Sequence, residues 1–156
     1  MPRSIREVDM TDREVLARTM WGEARGEGRI GQEAVASVIL NRVELAKAFK
    51  ARKGRNHPLY GDGTVEGACR APWQFSCWNE NDPNLPKLLA VTMDDRRFSS
   101  CMAVAAVALS GVLDDPTQGA THYHTVKSPP NVKQWPPKWA ASLTPTVTIG
   151  AHIFYR

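Results

Sequence analysis

The sequence predicts an α+β fold: one domain, mainly helical, with a small β-sheet or hairpin region towards its C-terminal end. Two observations carry this. Residues 12–23, 31–49 and 94–112 place apolar side chains at helical spacing. Residues 120–124, 147–149 and 153–155 instead alternate or concentrate β-branched and aromatic residues, the last two runs flanking Gly150. A length of 156 residues suits one core, and 42% hydrophobic with 23% charged residues is the balance of a globular chain. No apolar run nears the roughly 20 residues that span a bilayer, so stable membrane insertion is not expected.

Residues 1–11 read as a polar tail, and the domain is expected to occupy 12–156. Thr11 and Glu14 have capping-box spacing, so the first helix should begin near Asp12. Leu16, Met20 and Glu23 then fall at i, i+4 and i+7. That puts Glu23 on the buried stripe, in the last turn before Gly26 and Gly28. A second helix is expected from about Gly31 to Phe49, with Ala34, Val35, Val38, Ile39 and Val43 on its stripe. Asn41 and Arg42 are polar residues in this apolar segment. They form either a buried network that supports Glu23 or ordinary exposed positions.

Residues 51–82 are irregular, and a loop of that length is functional or hides short elements. Asn84 to Met93 reads as a short helix. Asp94 or Asp95 opens a longer one, with Phe98, Cys101, Met102, Ala105, Ala106 and Leu109 facing inward and Gly111 as its stop. Ala120 to His124 alternates like a strand. Pro129-Pro130 and Pro136-Pro137 bracket a loop with Trp135 and Trp139, and Val147–Ile149 and Ile153–Tyr155 close as a hairpin around Gly150.

A net charge of +4 and a pI of about 9.1 favour an anionic partner. Lys47, Lys50, Arg52, Lys53 and Arg55 cluster, but short basic runs are usually a solvated helix end, so nucleic acid is not the expected partner. Cys69, Cys77 and Cys101 are too few and too odd for a disulfide framework. The first residues lack an apolar signal region, so synthesis in a cytoplasm and free thiols are expected. Cys69 and Cys77 are near enough in sequence to pair in an oxidising space.

Glu23 has two readings. It is a structural carboxylate held by Arg25, Arg29 or backbone N–H groups, or an acid whose pKa is raised by the apolar wall of Leu16, Met20 and Trp21. Trp73-Gln74-Phe75-Ser76-Cys77-Trp78 sets aromatic rings beside an amide and a hydroxyl, as a sugar platform would. The same rings would equally form a small apolar cluster under the loop. His122 and His124 point to one face of a strand and, with His152 or Cys77, have the makings of a zinc site. Most such pairs are structural, so no metal and no cofactor is expected.

Gly22-Glu23-Ala24-Arg25-Gly26-Glu27, Gly31-Gln32-Glu33-Ala34-Val35-Ala36, Asn41-Arg42-Val43, Gln74-Phe75-Ser76, Gly119-Ala120-Thr121-His122-Tyr123 and Ile149-Gly150-Ala151-His152-Ile153-Phe154-Tyr155 follow one another along the chain. In this order they resemble the SleB/CwlJ-type cell-wall hydrolases, the family of the spore cortex-lytic enzyme, from about residue 12 to the end. The resemblance implies a lysozyme-like fold. It also implies a lytic transglycosylase that cuts the bond between N-acetylmuramic acid and N-acetylglucosamine in peptidoglycan glycan strands. Glu23 would be its catalytic acid and base, and Glu27 a secondary acid/base candidate. Trp73, Gln74, Phe75, Ser76, His122 and Tyr123 would contact the sugar.

In contrast to the spore enzymes, neither a secretion signal nor an appended wall-binding repeat is expected, and His124 follows Tyr123. In this it is similar to a bacteriophage endolysin, a monomer released onto the wall. The alternatives are a hydrolytic muramidase on the same bond, a zinc-dependent amidase or peptidase, and a non-catalytic glycan-binding module.

Overall fold

The computed structural model describes residues 10–24, 26–72 and 74–156. Most of the tail expected at 1–11 lies outside them, as do Arg25 and Trp73. Thr11 opens the first helix, α1 (Asp12–Ala24). Its hydroxyl accepts the Glu14 N–H and donates to the Glu14 carboxylate, both at 3.2 Å. Val15, Leu16, Ala17, Thr19, Met20, Trp21 and Ala24 are all buried, so α1 is covered on most of its circumference rather than along one stripe. Thr19 keeps its hydroxyl paired inside this apolar setting. It donates to the Val15 carbonyl at 2.8 Å and accepts the Trp78 indole N–H at 2.9 Å.

The second helix, α2 (Arg29–Lys53), runs past the expected end at Phe49 and stops at Gly54. Gly54 takes φ 69°, and its N–H bonds the Lys50 carbonyl at 2.8 Å. One face of α2 (Val35, Ala36, Ile39, Val43) joins the α1 core. Another (Ala34, Val38) packs with Ala120 and Phe154 beneath the sheet. This helix is therefore the wall between the helical core and the sheet.

The irregular stretch hides α3 (Val65–Arg70), capped by the Thr64 side chain on the Gly67 N–H, and a 3-10 turn at Ser76–Trp78. Next comes α4 (Leu85–Ala90), shorter at both ends than expected. Then α5 (Arg96–Leu109) begins where Asp95 accepts the Phe98 N–H at 2.9 Å. Its buried stripe is Phe98, Cys101, Val104, Ala105 and Ala108. Leu109 and Ala106, expected inward, are exposed, Leu109 to 38%. The helix is rotated so that Val104 and the small Ala105 and Ala108 meet α1 and α2.

Three antiparallel strands, β1 (His122–Thr125), β2 (Pro145–Ile149) and β3 (His152–Tyr155), lie in the order β1-β3-β2. Gly150, at φ 55°, turns the β2–β3 hairpin. Tyr123 faces Phe154 across β1 and β3, and His122 faces Tyr155. Alternation sends Tyr123 and Phe154 towards α2. It sends His122 and His124 to the opposite face, where Trp139 lies against both rings. No helix among the described residues is long and apolar enough to cross a membrane.

Candidate active site

Glu23 sits in the last turn of α1, above the fully buried Leu16 and Met20. Side chains from four other parts of the fold act on it. Tyr123 on β1 donates its hydroxyl to Glu23 Oε2 at 3.3 Å. Cys77, in the 3-10 turn, hydrogen-bonds the same carboxylate through its thiol. Gly22 permits that approach, because a Cβ there would lie 3.0 Å from both Cβ and Sγ of Cys77. Arg42 on α2 acts on the site through its charge, as does Asp82.

Burial is the largest influence on Glu23 and raises its pKa. Bonds from Cys77 and Tyr123 and the charge of Arg42 pull the other way, and Asp82 adds to the rise. The balance is upward, so the carboxyl holds its proton to higher pH than a free glutamic acid does. Burial also raises Tyr123 and Cys77, which keeps both as protonated donors. A cavity of about 180 Å³ opens on this carboxyl, lined by Trp21, Ser76, Cys77, Asp82 and Asn84 among others. A larger groove, about 560 Å³, crosses Asn41, Glu44 and Arg156. Its carboxylate, Glu44, is exposed and pairs with Lys47, so that groove offers no group poised to give up a proton.

The model of a family described as cell wall hydrolase matches residues 26–155. The chain belongs to the cell wall hydrolase family. It is 30% identical over 143 residues, 92% of its length, to the spore cortex-lytic enzyme of Halalkalibacterium halodurans. It spans only 34% of that relative. The catalytic domain of the germination-specific lytic transglycosylase SleB from Bacillus anthracis superposes with a TM-score of 0.64 at 27% identity, covering 96% of this chain and 98% of that one. The catalytic domain of Bacillus cereus SleB gives a TM-score of 0.64 at 26% identity, covering 99% and 98%. The helical body and three-stranded sheet of this cell wall hydrolase are thus those of a lysozyme-like SleB catalytic domain. Glu23 stands just before the span matched by the family model but within the fold shared with these structures.

The two polar residues of α2 part company. Arg42 is buried, donates through Nε to the Thr121 carbonyl at 2.7 Å, and lies 5.1 Å from the ring centres of both Tyr60 and Phe75. Asn41 turns elsewhere and donates to Asp115 and to the Ala120 carbonyl, both at 2.9 Å. Of the loop residues singled out in the sequence, Ser76 is exposed at the cavity and Gln74 is half-buried beside it in sequence. Phe75 and Trp78 are 4% and 8% exposed, so they are inner wall rather than open stacking faces. Trp73 lies outside the described residues.

Glu27 points away from the cavity. Its carboxylate accepts the Ala151 N–H at 3.4 Å and lies 3.4 Å from His152 Nδ1, holding the hairpin tip against the start of α2. A side chain at Gly150 would run into that carboxylate. His122 lies between the Tyr60 hydroxyl and Trp139, and burial lowers its pKa to about 4, which leaves it neutral. His124 donates from Nδ1 to the Thr125 carbonyl, which frees Nε2 to accept the Tyr155 hydroxyl, both at 2.8 Å. His152 is on the other face with Glu27, and Cys77 is at Glu23. The four donors weighed for zinc therefore do not converge, and no three such residues are gathered among the described ones. All three cysteines are free and buried. The sequence reading passed over Asp82, Asn84 and Tyr60, and it weighed Cys77 only as a disulfide partner or metal ligand. The Asp82-Pro83-Asn84 turn, straight after the aromatic loop, was the available signal for the first two.

Proposed function

We propose that this cell wall hydrolase is a lytic transglycosylase cutting the β-1,4 bond between N-acetylmuramic acid and N-acetylglucosamine, with Glu23 as both acid and base. The observation that carries the reading is a half-buried carboxyl at the wall of a small cavity, its pKa raised by desolvation, in a fold shared with a lytic transglycosylase domain. Glu23 gives its proton to the glycosidic oxygen as the C1–O bond breaks and positive charge spreads over C1 and the ring oxygen. The carboxylate left behind is held by the Tyr123 hydroxyl and the Cys77 thiol. Both bonds strengthen on ionisation, so they favour the step. The muramic C6 hydroxyl then attacks C1, its proton returns to Glu23, and the sugar closes as a 1,6-anhydro ring. Atoms balance without water or a metal.

Gln74 and Ser76 would orient sugar hydroxyls, Phe75 backs the wall, and Trp73 and His122 would serve neighbouring subsites. Glu27 has a supporting part through the hairpin. Glu23→Gln keeps the shape and removes the transferable proton, so it should cost about 10²–10⁴-fold in turnover on sacculi. A variant with half the wild-type rate would remove Glu23 from the chemistry.

One observation favours a second reading. Asp82 shares the cavity with Glu23, as the base of a hydrolytic muramidase would. An endolysin role belongs to the same proposal. The exposed basic end of α2 (Lys47, Lys50, Arg52, Lys53), followed by Arg55, suits anionic wall polymers. Lysis of cells whose membranes have been permeabilised tests that role, and intact cells after such treatment would count against it.

A further inference from the structure

Asp82 is fixed in a braced turn. Its Oδ1 accepts the Asn84 N–H at 2.8 Å, its own N–H donates to the Asn79 carbonyl at 3.0 Å, and its carbonyl accepts the Leu85 N–H at 3.1 Å. The residue is half-buried and lines the cavity onto which Glu23 opens. Glu27, the other acidic residue of the glycine-rich segment, is engaged at the hairpin tip instead. We propose that Asp82 is a second functional carboxylate of the site, a fixed negative charge that stabilises the positively charged sugar formed when the glycosidic bond breaks. This rests on the transglycosylase reading of the same cavity.

The need for such a charge is visible around Glu23. Arg42 on α2 is the cation that acts on this carboxyl, and it opposes any positive charge formed in front of Glu23. Tyr123 on β1 and Cys77 in the 3-10 turn are neutral donors, and neither can offset that charge. Asp82 can, and it does so without taking a proton or forming a bond. In a small cavity walled by protein, a charge held in place acts on developing charge more strongly than it would in water. The same charge also helps keep Glu23 protonated before the reaction.

Asp82→Asn is the discriminating variant, because its amide oxygen can still accept the Asn84 N–H and only the charge is lost. Turnover on soluble glycan strands should fall about tenfold or more, below the 10²–10³ typical of a lost oxyanion-hole donor. KM should change little, and the melting temperature should hold. The basic limb of kcat/KM should move to lower pH, since a group that raises Glu23 is gone. Asp82→Glu should recover part of the rate. Full activity with an unmoved pH profile overturns the proposal. A loss accompanied by a lowered melting temperature and an unmoved limb overturns it too, because it marks a merely structural turn. An inactive Glu23→Gln beside a fully active Asp82→Asn sinks only this inference. An active Glu23→Gln sinks the transglycosylase reading on which it stands.

Discussion

Tyr123→Phe removes one hydroxyl and leaves its ring between His152 and Phe154. The lost bond is the 3.3 Å contact to Glu23 Oε2. That is longer than the usual 2.5–3.0 Å of an O–H···O bond, so it belongs at the weak end of bonds to a charged group, about 1–1.5 kcal/mol. The bond matters most once Glu23 has given up its proton, so its loss should appear in turnover as a fall of about 5- to 13-fold. It also lowers the Glu23 pKa, so without it that pKa rises further and the basic limb of the rate profile should move to higher pH. That is opposite in direction to the shift expected for Asp82→Asn. The assay is kcat/KM against pH on soluble glycan strands, with thermal melting as the control for folding. A full-rate Tyr123→Phe with an unmoved limb would refute the role of this hydroxyl. A limb that moved to lower pH would refute the electrostatic picture of the site.

Glu23→Gln should also report on stability. A carboxyl with a raised folded pKa stabilises the fold fully below its unfolded value, near 4.5, and that contribution is lost as pH rises through the folded value. The variant should therefore match wild type in melting temperature near pH 4 and exceed it increasingly towards pH 8, and a constant difference would count against a buried acid. Glu27→Gln can still accept the Ala151 N–H, and because burial lowers the pKa of His152 it gives up only a contact with a neutral imidazole, at most about 1 kcal/mol. Its rate should fall far less than that of Glu23→Gln, and equal losses would make Glu27 a rival acid. Cys101→Ser puts a hydroxyl into a fully buried apolar site and should cost about 1–3 kcal/mol in denaturant unfolding with turnover retained. Unchanged stability would place Cys101 outside the core. Cys77→Ser should instead alter the pH profile, because its side chain touches Glu23, and an unaltered profile would remove that contact from the mechanism.

The parts of the fold legible in the sequence are those decided locally. The Thr11 cap, the Asp95 cap, the glycine stop at Gly111 and the turn at Gly150 are written within a few residues of where they act. Glu23 was legible as a carboxylate set against the core, and is half-buried, because Leu16 and Met20 share its side of one helix. Its partners were not, because Tyr123, Cys77 and Asp82 arrive from separate parts of the chain by tertiary packing. The direction of Asn41 and Arg42 was open for a related reason. Adjacent positions on α2 face different neighbours, and only the placement of Asp115 and Thr121 decides which bond each makes. The α5 stripe slipped because Ala105 and Ala108 are small enough to sit against α1 and α2, whereas hydropathy alone favours Leu109. In the aromatic loop, composition could not separate an exposed sugar platform from an inner wall. Phe75 and Trp78 became wall because Arg42 and Thr19 take up their ring face and indole N–H.

The new ends of the cut glycan strands record the chemistry. Purified sacculi digested in heavy-oxygen water and examined by mass spectrometry should release fragments ending in unlabelled 1,6-anhydromuramic acid, because the C6 hydroxyl and not water closes on C1. Reducing ends that carry the label and accept borohydride would contradict the transglycosylase reading and make this cell wall hydrolase a muramidase.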